Sequence, residues 1–529
     1  MLPISSSPPD RPLIRRKLPI GIQTFREIIE EGYYYVDKSG YAVDLAETGK
    51  YYFLSRPRRF GKSLLLDTLR ALFEGQQALF KGLLAEPRWD WGKKYPVIRV
   101  SFSDGVLRDR AELDQRIQEI LQDNQTRLGV SCVHQSLGGQ FGELIALVHQ
   151  KTGQRAVVLI DEYDKPILDN ITNSPVALAM REGLKNLYSV LKGADEHLKF
   201  VFLTGVSKFS KVSLFSGLNN LTDITLEAKY SALCGYTDAD VDSIFAPELE
   251  GLNREEIRSW YNGYNWLGTP VYNPFDLLLL FRSREFRPYW FETGTPSFLV
   301  KLLTQRQQFT PDLSRIVAPE TLLSTFDVDN IPPEALLFQA GYLTVGSVRR
   351  IPGLMQISLR YPNLEVRTSL NAVLLQSLTA NPAQYGEYAT RLYDLLLAQD
   401  FAGLKTLFHA FYASIPHDWY RKNELANFEG YYASIFYSYF AALGLDIRLE
   451  DSTSHGRIDM AVLFNGQVYL FEFKVVELTP AGQALQQLKD MAYADKYRAR
   501  GEPIHLIGVA FSKASRNIVE FDVETLSIN

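Results

Sequence analysis

Three short runs of this chain are apolar from end to end: Tyr51-Tyr52-Phe53-Leu54, Val157-Val158-Leu159-Ile160 and Phe200-Val201-Phe202-Leu203. A strand with one wet face alternates apolar and polar residues. Strands that are apolar throughout, separated by helical stretches, belong to a parallel sheet covered on both faces. Val97-Ile98-Arg99-Val100-Ser101-Phe102 reads as a further strand, and 109–128, 138–152 and 174–196 carry helical spacing. In such sheets ligands bind beyond the carboxyl ends of the strands. Polar residues stand at three of those ends: Lys62 and Ser63, Asp161 and Glu162, and Thr204. That coincidence weighs more than any one of its members.

Arg56-Pro57-Arg58-Arg59-Phe60-Gly61-Lys62-Ser63, followed by the helical Leu64–Phe73, supplies the second half of a Walker A loop. In that loop backbone amides cradle phosphate, a lysine reaches the β- and γ-phosphates and a hydroxyl holds Mg²⁺. The position five before Gly61 is Arg56 and not glycine, and Pro57, Arg58 and Arg59 make the loop basic and stiff. A solvated basic turn before a helix is the competing reading. An acid ending a buried apolar strand is costly unless it coordinates something. Asp161 would therefore hold the Mg²⁺ shell, Glu162 would orient the attacking water, and Thr204 would sense the γ-phosphate. An N-cap with an acidic first turn is the alternative for Asp161-Glu162. Arg58, Arg59, Gly61, Lys62, Ser63, Asp161 and Thr204 are thus the expected nucleotide-binding residues, with ATP and Mg²⁺ as cofactors. Whether ATP is hydrolysed or only bound stays open.

Near the C-terminus, Ile458–Phe464 and Val468–Lys474 flank Asn465-Gly466, a strong signal for a two-residue hairpin turn with positive φ at both positions. The register that pairs Phe464 with Gln467 sets Asp459 opposite Glu472. Lys474 shares the face of Glu472, because side chains alternate along a strand. Opposed carboxylates repel, and a divalent cation is the natural compensation. A solvated strand face with a Glu472–Lys474 charge pair would account for Lys474 but not for the opposed Asp459.

The net charge of −5 over 529 residues gives no overall footprint for nucleic acid, so such binding would use local basic patches. Two cysteines, Cys132 and Cys234, are too few for a disulfide framework and fit a reducing compartment. The first 17 residues lack the apolar core of a signal peptide and read as a disordered leader. The apolar run Phe275–Phe281 is far short of the roughly 20 residues of a membrane span. A cytoplasmic protein without membrane association is expected, with a homo-oligomer as an open option. The sequence divides into the leader 1–17, an ATPase core 18–235, a helical or winged-helix lid 236–364, a helical connector 365–415 and a C-terminal domain 416–529.

The strings YVDKS (35–39), RPRRFGKSLLLDTL (56–69), LIDEYDKP (159–166) and YNGYN (261–265) resemble a family of prokaryotic AAA-like ATPases, whose loop also starts with arginine. The resemblance covers roughly 18–230 and the appendage that follows. That family commonly carries a C-terminal PD-(D/E)XK nuclease-like domain, and 424–512 is similar to one. Asp459 and Glu472-Phe473-Lys474 match its Asp and Glu-X-Lys motif, and Glu429 matches the helical glutamate of its first motif. Gln487 and Tyr493 lie in a stretch, Ala484–Tyr497, similar to the family's closing helix, where Gln487 would hold the lysine or the DNA backbone. The fold class implied is α/β throughout: a P-loop NTPase sheet with its appendage, then a restriction-endonuclease-like domain. Asp459 and Glu472 would hold Mg²⁺ or Mn²⁺, Lys474 would position the attacking water, and Glu429 would add a ligand. The leading expectation is an ATPase coupled to a metal-dependent nuclease acting on nucleic acid, most plainly DNA. A nucleotide-dependent switch whose C-terminal domain binds without cutting is the alternative, and a remodeller of protein partners is a third.

Overall fold

The computed structural model describes residues 15–208, 220–294, 313, 316–324, 332–378, 382–415, 429–453, 456–478 and 482–526. The leader reading therefore falls almost wholly outside the described residues. The chain forms two compact units: one runs to Gly294 and resumes over Val317–Asn363, and the other contains Leu364–Asn529.

In the first unit, β1 (Tyr51–Ser55), β2 (Val97–Ser101), β3 (Ala156–Asp161), β4 (Leu198–Gly205) and β5 (Thr222–Asp223) form a five-stranded sheet in the order β2-β3-β4-β1-β5. Every pairing is parallel. The register sets Ser101 beside Asp161, Ile160 beside Leu203 and Leu54 beside Thr204, which brings three strand ends to one level. The covering helices start and stop where their sequences say. Arg110–Leu128 begins at Asp109, whose side chain accepts from the Glu112 amide, and ends at left-handed Gly129. Leu137–Thr152 begins at Ser136 and ends at Gly153 in the same way.

The appendage packs Val241, Phe245, Ile257, Tyr261, Leu277 and Phe281 into a core that Tyr34 and Val36 of the early aromatic segment complete. The YNGYN stretch owes its glycine to a close approach: a Cβ on Gly263, at φ 119°, would lie 2.0 Å from the Pro362 carbonyl oxygen. Beyond it, β6 (Val317–Pro319), β7 (Thr344–Ile351) and β8 (Leu354–Arg360) make an antiparallel sheet in the order β6-β8-β7, with the helix Pro333–Ala340 preceding β7.

The second unit has helices Leu364–Leu378, Pro382–Ala398, Phe401–Ser414 and Glu429–Ala442 beside a five-stranded sheet. Its strands are β9 (Asp446–Ser452), β10 (Arg457–Phe464), β11 (Gln467–Val475), β12 (Ile504–Ser512) and β13 (Asn517–Leu526), in the order β13-β12-β11-β10-β9. Only β11 and β12 run parallel. The hairpin turn has the expected form, with φ 48° at Asn465 and 68° at Gly466, and Phe464 pairs with Gln467.

The closing helix differs from the reading of 484–497 as one element. It runs Gln483–Asp490, and a separate turn follows at Asp495–Arg498. Ala492 sits at φ 47°, its amide donates to Lys489 O and that of Tyr493 to Leu488 O, the pattern of a helix-ending Schellman motif. Helical propensity there is overridden by burial, since the turn carries Tyr493 into the cluster that holds Leu488. No described helix is long and apolar enough to cross a membrane.

Candidate functional site

The nucleotide-type site is built on the level strand ends of the first sheet. Gly61, at φ 88°, turns the chain out of the loop into the helix Lys62–Phe73. Asp161, at the tip of β3, accepts from Ser63 Oγ at 2.6 Å and from Thr204 Oγ1 at 2.7 Å. The loop hydroxyl, the strand-end acid and the β4 threonine therefore meet at one carboxylate. Asp161 does not cap the next helix, whose N-cap is Asp164. Lys62 is buried, and its Nζ donates to the carbonyls of Arg56 and Pro57, each at 2.9 Å. Burial pushes its pKa down, against the pull of Asp161 and Glu162. Glu162 stands at φ 51°, and burial raises its pKa while Lys62 opposes the shift. A carboxyl tuned upward suits proton acceptance from water. Arg58, Arg59, Gly61, Lys62, Ser63 and Glu162 line a cleft of about 340 Å³ together with Lys165, Tyr236 and Phe275.

Arg56 is no part of a solvated basic turn. It is 0% exposed. Its guanidinium donates to the carbonyls of Ser55 (2.8 Å), Thr225 (3.0 Å) and Tyr230 (3.0 Å), and its carbon lies 4.0 Å from the Trp266 ring centroid. Desolvation lowers its pKa to about 10. Phe60 packs edge-on against Trp266, and Trp290 Nε1 donates to Arg58 O at 3.0 Å. The basic surface of the loop is Arg58 and Arg59, the latter over the Phe275 ring at 4.8 Å. Nor did the sequence single out Asp164, a buried acid that accepts from the Ser207 amide and hydroxyl, both at 2.6 Å. It ties the turn after β3 to the turn after β4. Its only sequence signal was a third acid in the DEYD string.

The nuclease-type site lies where β10 and β11 part. Pairing runs from Phe464–Gln467 to Met460–Phe471. At the next rung the Asp459 carboxylate reaches across and accepts from the Phe473 amide at 2.9 Å. Burial raises its pKa, countered by that bond and by Lys474, while Glu450 adds to the rise. Glu472 is 1% exposed, and Lys474 Nζ donates to its Oε1 at 3.0 Å. Beside it in β12 the register places Gly508, and the helix Gln483–Asp490 lies against both strands there. Gln487 is on that helix, half-buried. Tyr493 is 2% exposed in the core among Ile458, Leu470 and Leu488, so its contribution is support. Glu429 opens the helix Glu429–Ala442, but its side chain lies outside the described residues.

Two desolvated carboxylates, one with its proton affinity raised by burial, are hard oxygen donors that gain from a cation. They fit a divalent metal. Among the described residues no group of three or more acidic, histidine or cysteine side chains surrounds a common point. Asp459 and Glu472 would leave most positions around the ion to water and substrate oxygens, which is how Mg²⁺ is usually held.

Comparison with known proteins gives two family matches: "Predicted AAA-ATPase" over residues 19–215 and "PD-(D/E)XK nuclease superfamily" over 427–521. A protein of Azotobacter chroococcum mcd 1, called "Uncharacterized protein in vnfD 5'region", is 65% identical over 513 residues, 97% of this chain and 99% of that one. The chain therefore belongs to the family of that Azotobacter protein, and it joins an AAA-ATPase-like domain to a domain of the PD-(D/E)XK nuclease superfamily.

Proposed function

We propose that this protein binds and hydrolyses ATP and uses its C-terminal domain to cut phosphodiester bonds, with DNA as substrate and Mg²⁺ or Mn²⁺ as the metal. The observation that carries the cutting half is the setting of three motif residues: Asp459 anchored on the Phe473 amide, Glu472 buried in the adjoining strand, and Lys474 held against Glu472. Asp459 and Glu472 would hold the metal, with Glu429 as a further ligand. A cation bound there supplies Lewis-acid polarisation of the scissile phosphate and a more acidic water. Lys474, poised at the same carboxylate, orients the attacking water and offsets charge developing on the phosphate. Gln487 steadies Lys474 or the substrate backbone.

In the first unit Ser63 and Asp161 would complete the Mg²⁺ shell of ATP, Lys62 and the loop amides would hold its phosphates, and Arg58 and Arg59 would add charge at the rim. Glu162 would align the hydrolytic water and Thr204 would sense the γ-phosphate. A gated nuclease of this kind suits defence, control of mobile elements or repair. A slow nucleotide switch is the second reading, favoured by Lys62 being already satisfied by two loop carbonyls. ATP must displace those contacts before the lysine can serve it.

One assay tests both halves. The full chain is incubated with Mg²⁺ or Mn²⁺ and single- or double-stranded DNA or RNA, with and without ATP, beside Lys474→Ala and Lys62→Ala. The expected result is cutting that vanishes in Lys474→Ala and loses its response to ATP in Lys62→Ala. Cutting that persists in Lys474→Ala would overturn the nuclease assignment.

A further inference from the structure

The hairpin of β7 and β8 combines positive charge with exposure. Residues 344–360 contain Arg349, Arg350 and Arg360 and not one Asp or Glu, in a chain whose net charge is −5. Past Val345 every residue of β7 is exposed, so β7 is the exposed edge of the three-stranded sheet; β8 stays paired with β6 as far as Gln356, and only Arg350–Ile351 and Leu354–Met355 run on as a two-stranded tip. From 346 to 351 that exposed edge spans about 20 Å. Its tip, Pro352-Gly353, is flanked by Ile351 and Leu354, 38% and 40% exposed, with Val348 at 38%. Among the described residues its arginines enter no ion pair, whereas Arg254 and Arg258 of the same unit are neutralised by Asp238 and Asp242.

We propose that this ribbon is a contact surface for duplex DNA; the inference deepens the nucleic-acid reading above and rests on it for the choice of partner. Arg349 pairs with Gln356 and Arg350 with Met355, so successive arginines point to opposite faces of the ribbon, and Arg360 shares the face of Arg349. A cation on each face suits a tip entering a groove, where phosphates stand on both sides. The major groove admits a two-stranded ribbon, and the tip beyond β6 is one. The apolar tip then meets thymine methyls, which are displayed in the major groove. A lipid surface fits less well: three partly exposed aliphatic side chains are far from the apolar face of an amphipathic anchor.

The test is equilibrium binding of the full chain to a short labelled DNA duplex in EDTA, with KCl varied. EDTA keeps the measurement separate from cutting. Arg349→Ala with Arg350→Ala should weaken binding and reduce the slope of log K against log [KCl] by about 1.8, the loss of two phosphate contacts. Arg349→Lys with Arg350→Lys should restore the slope, because it keeps both charges. An unchanged thermal midpoint in each variant shows that the fold is intact. A wild-type slope in the alanine pair overturns the proposal. So does tighter binding to an RNA duplex of the same sequence, or an arginine-dependent affinity for phosphatidylserine vesicles that DNA does not share. A chain that cuts in Mn²⁺ but keeps its slope in the alanine pair loses only the ribbon assignment. One that binds through the ribbon but never cuts loses only the nuclease.

Discussion

Gly508→Ala should separate the two activities proposed for this chain. Gly508 stands next to Glu472 in the parallel pairing of β11 and β12. A Cβ built there lies 2.3 Å from Leu485 N and 2.8 Å from its Cα. These are backbone atoms of the helix Gln483–Asp490, with no flexible side-chain end to swing away. Ordinary contact begins near 3.4 Å, so helix and sheet must part by about 1 Å. Overpacking of this kind costs about 1–3 kcal/mol, and a 1 Å displacement near reacting groups can lower a rate by about a hundredfold. The helix carries Gln487, so the substitution should slow cutting while ATP binding in the other unit stays as it was. The readouts are Mn²⁺-dependent cleavage, ATP affinity, and hydrogen exchange of the full chain over 483–490 and 504–512, where exchange should quicken. If Gly508→Ala cuts at the native rate with native protection in both segments, the helix is not pressed onto β12 and the packing argument fails.

Other perturbations follow from single residues. Ala492→Gly should stabilise the second unit by up to about 1 kcal/mol, because glycine takes φ 47° without strain; denaturant unfolding that moves the other way refutes the cap. Asp459 holds its proton to a higher pH than an ordinary carboxyl of about 4, and proton and cation compete for it. The acid limb of cleavage should therefore lie above that range, and a limb at or below it would count against Asp459 as a ligand. Since its folded pKa is raised, the metal-free chain gains stability as pH falls through that pKa, and Asp459→Asn should raise the metal-free unfolding midpoint at neutral pH. The same variant should lose the stabilisation by metal, which for the native chain is about 2.7 kcal/mol at a hundredfold excess over Kd. Arg56→Met should cost about 2–4 kcal/mol, as it strips the buried carbonyls of Thr225 and Tyr230 of a charged donor, and nucleotide affinity should fall with it.

Local pattern carried much of this structure into the sequence. The apolar runs at Val157 and Phe200 are legible because a strand buried on both faces has no polar alternation to hide it, and they became β3 and β4. Asn465-Gly466 fixed the hairpin because few other pairs tolerate positive φ twice. Asp161 could be linked to Ser63 and Thr204 because parallel strands bring their ends to one level. What stayed illegible was non-local. Arg56 reads as a basic loop residue until Trp266, more than 200 positions on, is seen against it. The break at Ala492 was hidden because alanine favours helix, and only the burial of Tyr493 beside Leu488 outweighs that preference. Asp459 was placed opposite Glu472 by counting along the hairpin, but no count could reveal that its carboxylate takes the amide of Phe473.

The fastening of Arg56 bears on how this chain can be dissected. The Walker-type loop is bolted at its root by a guanidinium whose lid is the indole of Trp266, and Phe60 leans on the same ring. A fragment cut after residue 235, where the sequence suggests the ATPase core ends, would keep every signature of nucleotide binding yet expose that arginine to water and leave the phenyl ring unsupported. Such a fragment would be a poor surrogate for the intact protein. The loop and its aromatic neighbour pack as one piece, and a change in either would have to be matched by the other.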